Sequence, residues 1–202
     1  MLADTAAPGV ATACLVAAYL IGTFPTALLV GRRRGVDPTL VGSGNPGATN
    51  MARTAGRAAG VVTLVGDLLK GVLAAVIGWV AGGHDLAAWC GLAAVVGHTL
   101  PVTRGFRGGK GVATGAGVAL VVAPAAAAVA AVAFGVAVAA SRTVSLGSVV
   151  GAVALPVAAA ALGSPGPMVV ALAVSAVLIV ARHGGNLRRL ARGEERRLGS
   201  RG

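Results

Sequence analysis

Three polar segments in an otherwise apolar chain carry the side chains able to do chemistry. The first, residues 41–57, reads VGSGNPGATNMARTAGR and sets Gly42, Gly44 and Gly47 among Ser43, Asn45, Thr49 and Asn50 ahead of Arg53 and Arg57. Glycine permits positive φ and close backbone approach, so successive amides can line an anion-binding hollow that an arginine grips bidentately. Gly-Asn-Pro-Gly is equally ordinary turn chemistry, and a plain interhelical loop is the alternative.

The second segment, residues 97–114, reads GHTLPVTRGFRGGKGVAT. It begins with His98 and surrounds Lys110 with Gly108, Gly109 and Gly111 just before a predicted helix. Glycines leading into a helix N-terminus attract phosphate, and Lys110 adds a full charge. This is not a Walker loop, because Arg104 and Gly111 stand where that pattern needs Gly and Ser or Thr. A basic loop resting on anionic lipid headgroups is the competing reading.

The third segment, residues 182–195, reads RHGGNLRRLARGEE. His183 and Asn186 are three apart and would share one helical face. A histidine titrating near neutrality is the usual general base, although one at a membrane boundary can equally be a plain hydrogen-bonded residue. The arginines that follow read as a topology anchor. Asp67 and Lys70 lie i, i+3 in a run that is otherwise apolar. Charges in such a place are paired or functional.

The elements that position these groups must be membrane helices. The 202 residues include 17 Lys and Arg against 6 Asp and Glu, 56% hydrophobic residues and 32 glycines, and the mean hydropathy is +0.85. A soluble domain carries about 25% charged residues, whereas this chain carries 11%. The net charge of +11 would suit a nucleic-acid binder, but the basic residues fall in short clusters and aromatic residues for base stacking are 3% of the chain. Nucleic acid is therefore excluded as a partner, and the lipid bilayer takes its place.

Cys14 and Cys90 each sit in an apolar run without CxxC spacing, which reads as small buried hydrophobes. No clustered His, Cys and carboxylate set suggests a metal, no cofactor is implied, and no obligate protein partner is evident. The N-terminus has Asp4 and no Lys or Arg before the first apolar segment, so it lacks the basic start of a signal peptide. That first segment is expected to stay in the mature protein.

A hydrocarbon core of about 30 Å needs about 20 apolar residues in a helix. The candidate spans are 10–31, 58–82, 86–103, 112–140, 144–163 and 167–181. Lys and Arg flanking spans favour the cytoplasmic side. They cluster at 32–57, 104–110 and 182–201, with Lys70 and Arg142 alone, and are missing from 1–9, 82–85 and 163–167. If 112–140 crossed once, the 104–110 cluster and the arginine-rich tail would end on opposite sides. Two short crossings, 112–123 and 124–140 divided at Pro124, remove that conflict. The sequence thus predicts an all-α bundle forming one domain over 1–202, with seven transmembrane passes, the N-terminus outside and the C-terminus in the cytoplasm. All three polar segments then face the cytoplasm.

In this order, GSGNPGATNMAR, GHTLP followed by FRGGKGVATG, and RHGGNLRRLARGEE resemble the bacterial acyl-phosphate:glycerol-3-phosphate acyltransferase family, PlsY. The resemblance covers the polar segments closely and the spans in hydrophobic character only. Leu100, Thr103 and Arg104 depart from the aromatic residues usual in the family's second motif. The resemblance implies a cell-membrane enzyme, with its site facing the cytoplasm, that moves an acyl group from acyl phosphate to the 1-hydroxyl of glycerol-3-phosphate. Lysophosphatidic acid and phosphate are the products. It further implies that Ser43, Arg53 and Lys110 are phosphate ligands and that His183 and Asn186 are the polar pair at the reaction centre, with Ser43 beside them in the catalytic set. Asn45, Thr49 and Asn50 become supporting loop groups and Glu195 a structural residue. Gly108, Gly109, Gly111, His98, Asp67 and Lys70 complete the expected substrate-binding set. Transfer is expected to be direct, because the two cysteines lie inside spans and Ser43 has no evident Asp/His partner.

The alternative acyltransferase signature, an Asp five residues after a His, is absent: Trp89, Thr103 and Arg188 follow His84, His98 and His183 at that distance. A small-anion transporter remains a rival, since intramembrane charges occur in such proteins. It predicts two similar halves, which this chain lacks. A lipid-binding structural protein would leave the glycine-rich segments without purpose.

Overall fold

A computed structural model describes residues 6–199. Asp4 and Arg201, used above in the charge reading, lie outside the described residues. Among the described residues the regular structure is entirely helical: α1 (Pro8–Thr23), α2 (Thr26–Arg32), α3 (Ala48–Thr54), α4 (Arg57–Thr99), a 3₁₀ turn at Val102–Arg104, α5 (Val112–Val122), α6 (Pro124–Ser141), α7 (Val144–Ala161), α8 (Gly166–Arg182) and α9 (Gly184–Ala191). Four stretches among them are long and apolar enough to cross a bilayer, and α8 with α9, bent by 55°, makes a fifth if counted as one.

Prolines and glycines set the breaks. Pro25 forces Phe24 into an extended conformation (φ −57°, ψ 124°), so the segment expected as 10–31 is two helices rather than one. Residues 48–54, expected as loop, form α3, which follows Pro46 and Gly47 directly. Pro101 ends α4 at Thr99. Pro124 opens α6 behind Ala123 (φ −148°, ψ 64°), dividing the 112–140 run where the sequence suggested.

The fold comprises two compact units, Met1–Val122 and Ala123–Gly202. In the first, α4 departs from helical geometry at Gly82 (φ −164°, ψ 28°) and Gly83 (φ 73°, ψ −164°). Positive φ at residue 83 strongly favours glycine. The two legs, 57–81 and 84–99, run antiparallel: Gly78 packs on Leu86 and Ala87, Ala74 shares a cluster with Cys90, and Lys70 reaches His98. Neighbours approach backbone to backbone. A β-carbon at Gly71 would overlap the Thr114 carbonyl oxygen, and one at Gly117 that of Leu68, so α4 and α5 meet through small residues as helices in lipid do. Cys90 is buried and Cys14 packs against the same cluster, as small hydrophobes. Leucines and valines such as Leu64, Leu69, Leu73 and Val80 point outward. Lipid would cover them, since an apolar surface this extensive has no place in water.

In the second unit α6, α7, α8 and α9 pack in sequence. The C-terminal segment returns to the start of α7, where the Leu198 N–H donates to the Arg142 carbonyl at 2.6 Å. That return brings Glu195 back among the polar groups described below.

Candidate active site

The first segment is a loop held from behind by one side chain. Asn50, in the first turn of α3, accepts the Ser43 N–H at Oδ1 (2.9 Å) and donates from Nδ2 to the carbonyls of Pro38 (2.9 Å) and Val41 (3.1 Å). Both of its N–H donors are thereby used. Gly42 (φ 64°) lies so close that a β-carbon would overlap Asn50 Oδ1. Three amides of the segment turn inward rather than outward. Besides Ser43, the Gly44 N–H donates to Val41 O and the Gly47 N–H to Asn45 O, so the loop satisfies these donors internally. What it presents outward is side chains: Ser43, Thr49 and Arg53 are exposed and Asn45 is half-buried.

The second segment starts from the end of α4. Tyr19 of α1 donates its hydroxyl proton to Leu100 O (2.9 Å) and accepts the Val102 N–H (3.0 Å), fixing where the chain leaves the helix. The Gly108 N–H donates to Thr99 O (3.2 Å) and the Gly109 N–H to His98 O (3.1 Å), so the glycines fold back onto the α4 terminus before α5 begins. Gly111, with φ 83°, makes the last turn, and Lys110 is half-buried.

Under this turn lie Asp67, Lys70 and His98, which are 3%, 5% and 9% exposed. Lys70 Nζ is 2.7 Å from Asp67 Oδ1, 2.9 Å from Phe24 O and 3.1 Å from His98 Nδ1. These three side chains, the α1–α2 corner at 22–28, Pro46, Arg104 and Gly109 line one shallow, half-open cleft. The first and second polar segments therefore meet at one place. Burial pulls the Arg104 guanidinium below its ordinary value, against the opposing influence of Asp37. Asp37 itself is held below the usual carboxylate range by hydrogen bonds from the hydroxyl and backbone N–H of Thr39.

The second unit carries the third segment. His183 caps α8 and precedes α9, is 2% exposed, and has Nδ1 2.8 Å from Ile179 O. A carbonyl only accepts, so Nδ1 carries a proton, and in the neutral ring Nε2 holds the lone pair. Asn186 Nδ2 donates to Ser145 Oγ (2.8 Å) and Glu195 Oε1 (2.6 Å), Ser145 Oγ donates to Glu195 Oε1 (2.6 Å), and Arg189 Nε donates to Glu195 Oε2 (2.9 Å). Burial pushes the Glu195 carboxyl up, but the bonds from Ser145, Asn186 and Arg189 outweigh it and hold the group below its ordinary range. Ser145 and Tyr19 were not singled out from the sequence. The available signals were a cluster of hydroxyls, Thr143, Ser145 and Ser148, opening an apolar helix and the chain's single tyrosine. Among the described residues no three His, Cys, Asp or Glu side chains gather as a metal site.

An all-helical, lipid-facing architecture with cationic glycine loops and a buried, oriented histidine defines a membrane protein whose polar groups are concentrated in a few short segments. Residues 12–193 match the family described as glycerol-3-phosphate acyltransferase. Proteins named glycerol-3-phosphate acyltransferase from Trichlorobacter lovleyi and Geobacter sulfurreducens are 41% and 44% identical to this chain. The matches cover 90% and 89% of this chain and 94% and 93% of theirs. A crystal structure of PlsY (YgiH), an integral membrane glycerol 3-phosphate acyltransferase in its glycerol 3-phosphate form, superposes with a TM-score of 0.90 at 37% identity, covering 94% of this chain and 96% of that one. A lysophosphatidic acid form superposes with a TM-score of 0.88 at 36% identity, covering 94% and 95%. The chain belongs to the glycerol-3-phosphate acyltransferase family, PlsY. It is an integral membrane acyltransferase of phospholipid synthesis.

Proposed function

We propose that this protein transfers an acyl group from acyl phosphate to the 1-hydroxyl of glycerol-3-phosphate, releasing lysophosphatidic acid and inorganic phosphate, with no covalent acyl-enzyme. The observation that carries this reading is the meeting of the first and second polar segments, through Pro46 and Gly109, at one cleft that also contains Lys70, His98 and Arg104. Both substrates are phosphate-bearing anions, and the acyl chain of the donor prefers lipid. A basic, glycine-lined site at a membrane face suits both.

In the proposed reaction the glycerol-3-phosphate hydroxyl oxygen attacks the acyl carbon and the carbon–oxygen bond to phosphate breaks. The phosphate leaves with that electron pair. Phosphate is a good leaving group in a mixed anhydride, so positioning and charge screening supply most of the acceleration. Ser43, Arg53 and Lys110 hold phosphate groups, Asn45, Thr49 and Asn50 keep the first loop in shape, and Asp67, Lys70 and His98 form the cleft floor. Gly108, Gly109 and Gly111 bring backbone close to the anion. His183, with Nδ1 anchored on Ile179 O, either accepts the hydroxyl proton at Nε2 or orients the donor phosphate while that phosphate accepts it. Asn186 fixes the same centre through Ser145 and Glu195.

The proposal extends to topology. The 25-residue stretch Pro8–Arg32, the two legs of α4, and α5, α6, α7 and α8 make seven passes of a single domain over 1–202. The N-terminus is outside, and the site faces the cytoplasm from the cell membrane. Cysteine labelling that found the C-terminal tail on the outer face would refute this arrangement.

Purified protein in detergent, given acyl phosphate and glycerol-3-phosphate, is expected to release phosphate and lysophosphatidic acid in equal amounts. Folded protein that releases neither overturns the reading. Lys110→Ala should weaken phosphate recognition by about 1.5–3 kcal/mol, the usual loss for a charge-assisted contact. His183→Ala that retained near-normal turnover and an unchanged pH profile would eliminate both roles given to His183.

A further inference from the structure

Lys70 has three protons and no lone pair. Asp67 Oδ1, Phe24 O and His98 Nδ1, at 2.7, 2.9 and 3.1 Å, are its nearer acceptors, with Gly22 O farther off at 3.5 Å. Because an ammonium only donates, His98 Nδ1 must be the lone-pair nitrogen, and the neutral ring carries its proton on Nε2. Tautomer and orientation of this imidazole are thus set by a buried ion pair on the other leg of α4. The opposite edge of the ring meets the glycine turn. A β-carbon at Gly109 would overlap His98 Nε2 and approach Cε1 and Cδ2 at 3.0 and 3.1 Å. The main-chain carbonyl of His98 also takes the Gly109 N–H. Ring and carbonyl of one residue therefore form a seat for Gly109, and the next residue is Lys110.

We propose that Asp67, Lys70 and His98 are positioning residues: the ion pair orients the His98 ring, the ring supports the Gly108–Gly109 turn, and the turn sets the reach of Lys110 toward substrate phosphate. This rests on the reading above that Lys110 binds that phosphate. It goes beyond that reading by giving three buried groups a role exerted through the loop, without contact with the reacting atoms.

The test is steady-state kinetics of the purified full-length protein with acyl phosphate and glycerol-3-phosphate. His98→Asn keeps an acceptor for Lys70, since Asn Oδ1 falls near the position of Nδ1, but removes the part of the ring beneath Gly109. It is expected to raise KM for glycerol-3-phosphate about tenfold while changing kcat much less, as loss of ground-state positioning does. Gly109→Ala should do the same. The three nearest atoms it meets all belong to the His98 ring, so the double variant should be no worse than Gly109→Ala by itself. Gly108→Ala is the control. Its β-carbon meets the His98 carbonyl oxygen, Thr99 backbone and Pro101, and its effect should multiply with that of His98→Asn.

A KM within about twofold of the parent for His98→Asn, or multiplicative behaviour of His98→Asn with Gly109→Ala, overturns the proposal. If His98→Asn does not accumulate as folded protein, Gly109→Ala decides alone: a raised KM with kcat kept supports the seat, and an unchanged KM removes it. Lys110→Ala in the same assay separates the two layers. A raised KM there beside an unchanged one in His98→Asn refutes the relay and leaves the substrate reading standing. An unchanged KM in Lys110→Ala refutes the substrate reading and the relay with it.

Discussion

Replacing Lys70 by Met tests whether the charges inside the first unit act as a closed pair. Lys70 and Asp67 are 5% and 3% exposed and 2.7 Å apart. With Lys70 gone, the Asp67 carboxylate loses its ammonium partner and keeps His98 Nδ1 at the longer distance of 3.7 Å. Breaking a buried pair from one side costs about 3–5 kcal/mol, because the surviving charge is left uncompensated. Asp67→Asn should cost less, about 1.5–3 kcal/mol, since Lys70 retains Phe24 O and His98 as acceptors. In the double variant no charge is left unpaired, so its loss should fall short of the summed single losses by about 2 kcal/mol or more. Reversible unfolding in mixed detergent and SDS micelles, followed by circular dichroism, measures all four forms. Additivity within about 0.5 kcal/mol would show that Asp67 and Lys70 do not act as a pair and would refute the reasoning.

Three further outcomes are expected. Glu195 is held below its ordinary value by donors from Ser145, Asn186 and Arg189, so its contribution is fully present above that value and is lost as pH falls through the lowered native one. Melting curves of the parent should therefore lose stability below about pH 4.5, whereas Glu195→Gln should start lower and show a shallower acid slope. An equal slope in both removes Glu195 as the titrating group. Tyr19→Phe deletes a hydroxyl that both donates to Leu100 O and accepts from Val102 N. It should cost about 1–2 kcal/mol by melting, and no loss would mean that water replaces both bonds. Asn50→Asp keeps the acceptor for Ser43 but sets a carboxylate against the Pro38 and Val41 carbonyls, so it should lose about 2–4 kcal/mol and loosen the 38–44 loop in hydrogen exchange. Parent-like exchange there would show that the loop does not depend on Asn50.

Much of the helical layout was legible because apolar length and prolines act locally. Pro124 marks the break between α5 and α6, and the pair Gly82 and Gly83, in a stretch without Lys or Arg, marks the reversal in α4. The division at Pro25 was hidden inside a continuous apolar run. The three polar segments stood out by composition, and the first two do converge. The internal use of the loop amides was not legible, because it depends on Asn50 folding back seven residues to Ser43. Ser145 and Tyr19 escaped notice for a related reason. Each is one hydroxyl among the few in an apolar helix, and their partners lie 50 and 81 residues away, at Glu195 and Leu100. The pairing of Lys70 with His98 likewise appears only once α4 is known to double back.

Asn50 braces the 38–44 loop from within, with both amide protons and its carbonyl oxygen engaged. A loop braced by its own side chain needs little ordering when a ligand arrives. Encounter with a small anion should then proceed at a rate governed by diffusion and electrostatic attraction. Added salt would slow capture, while greater solvent viscosity would slow it in simple proportion.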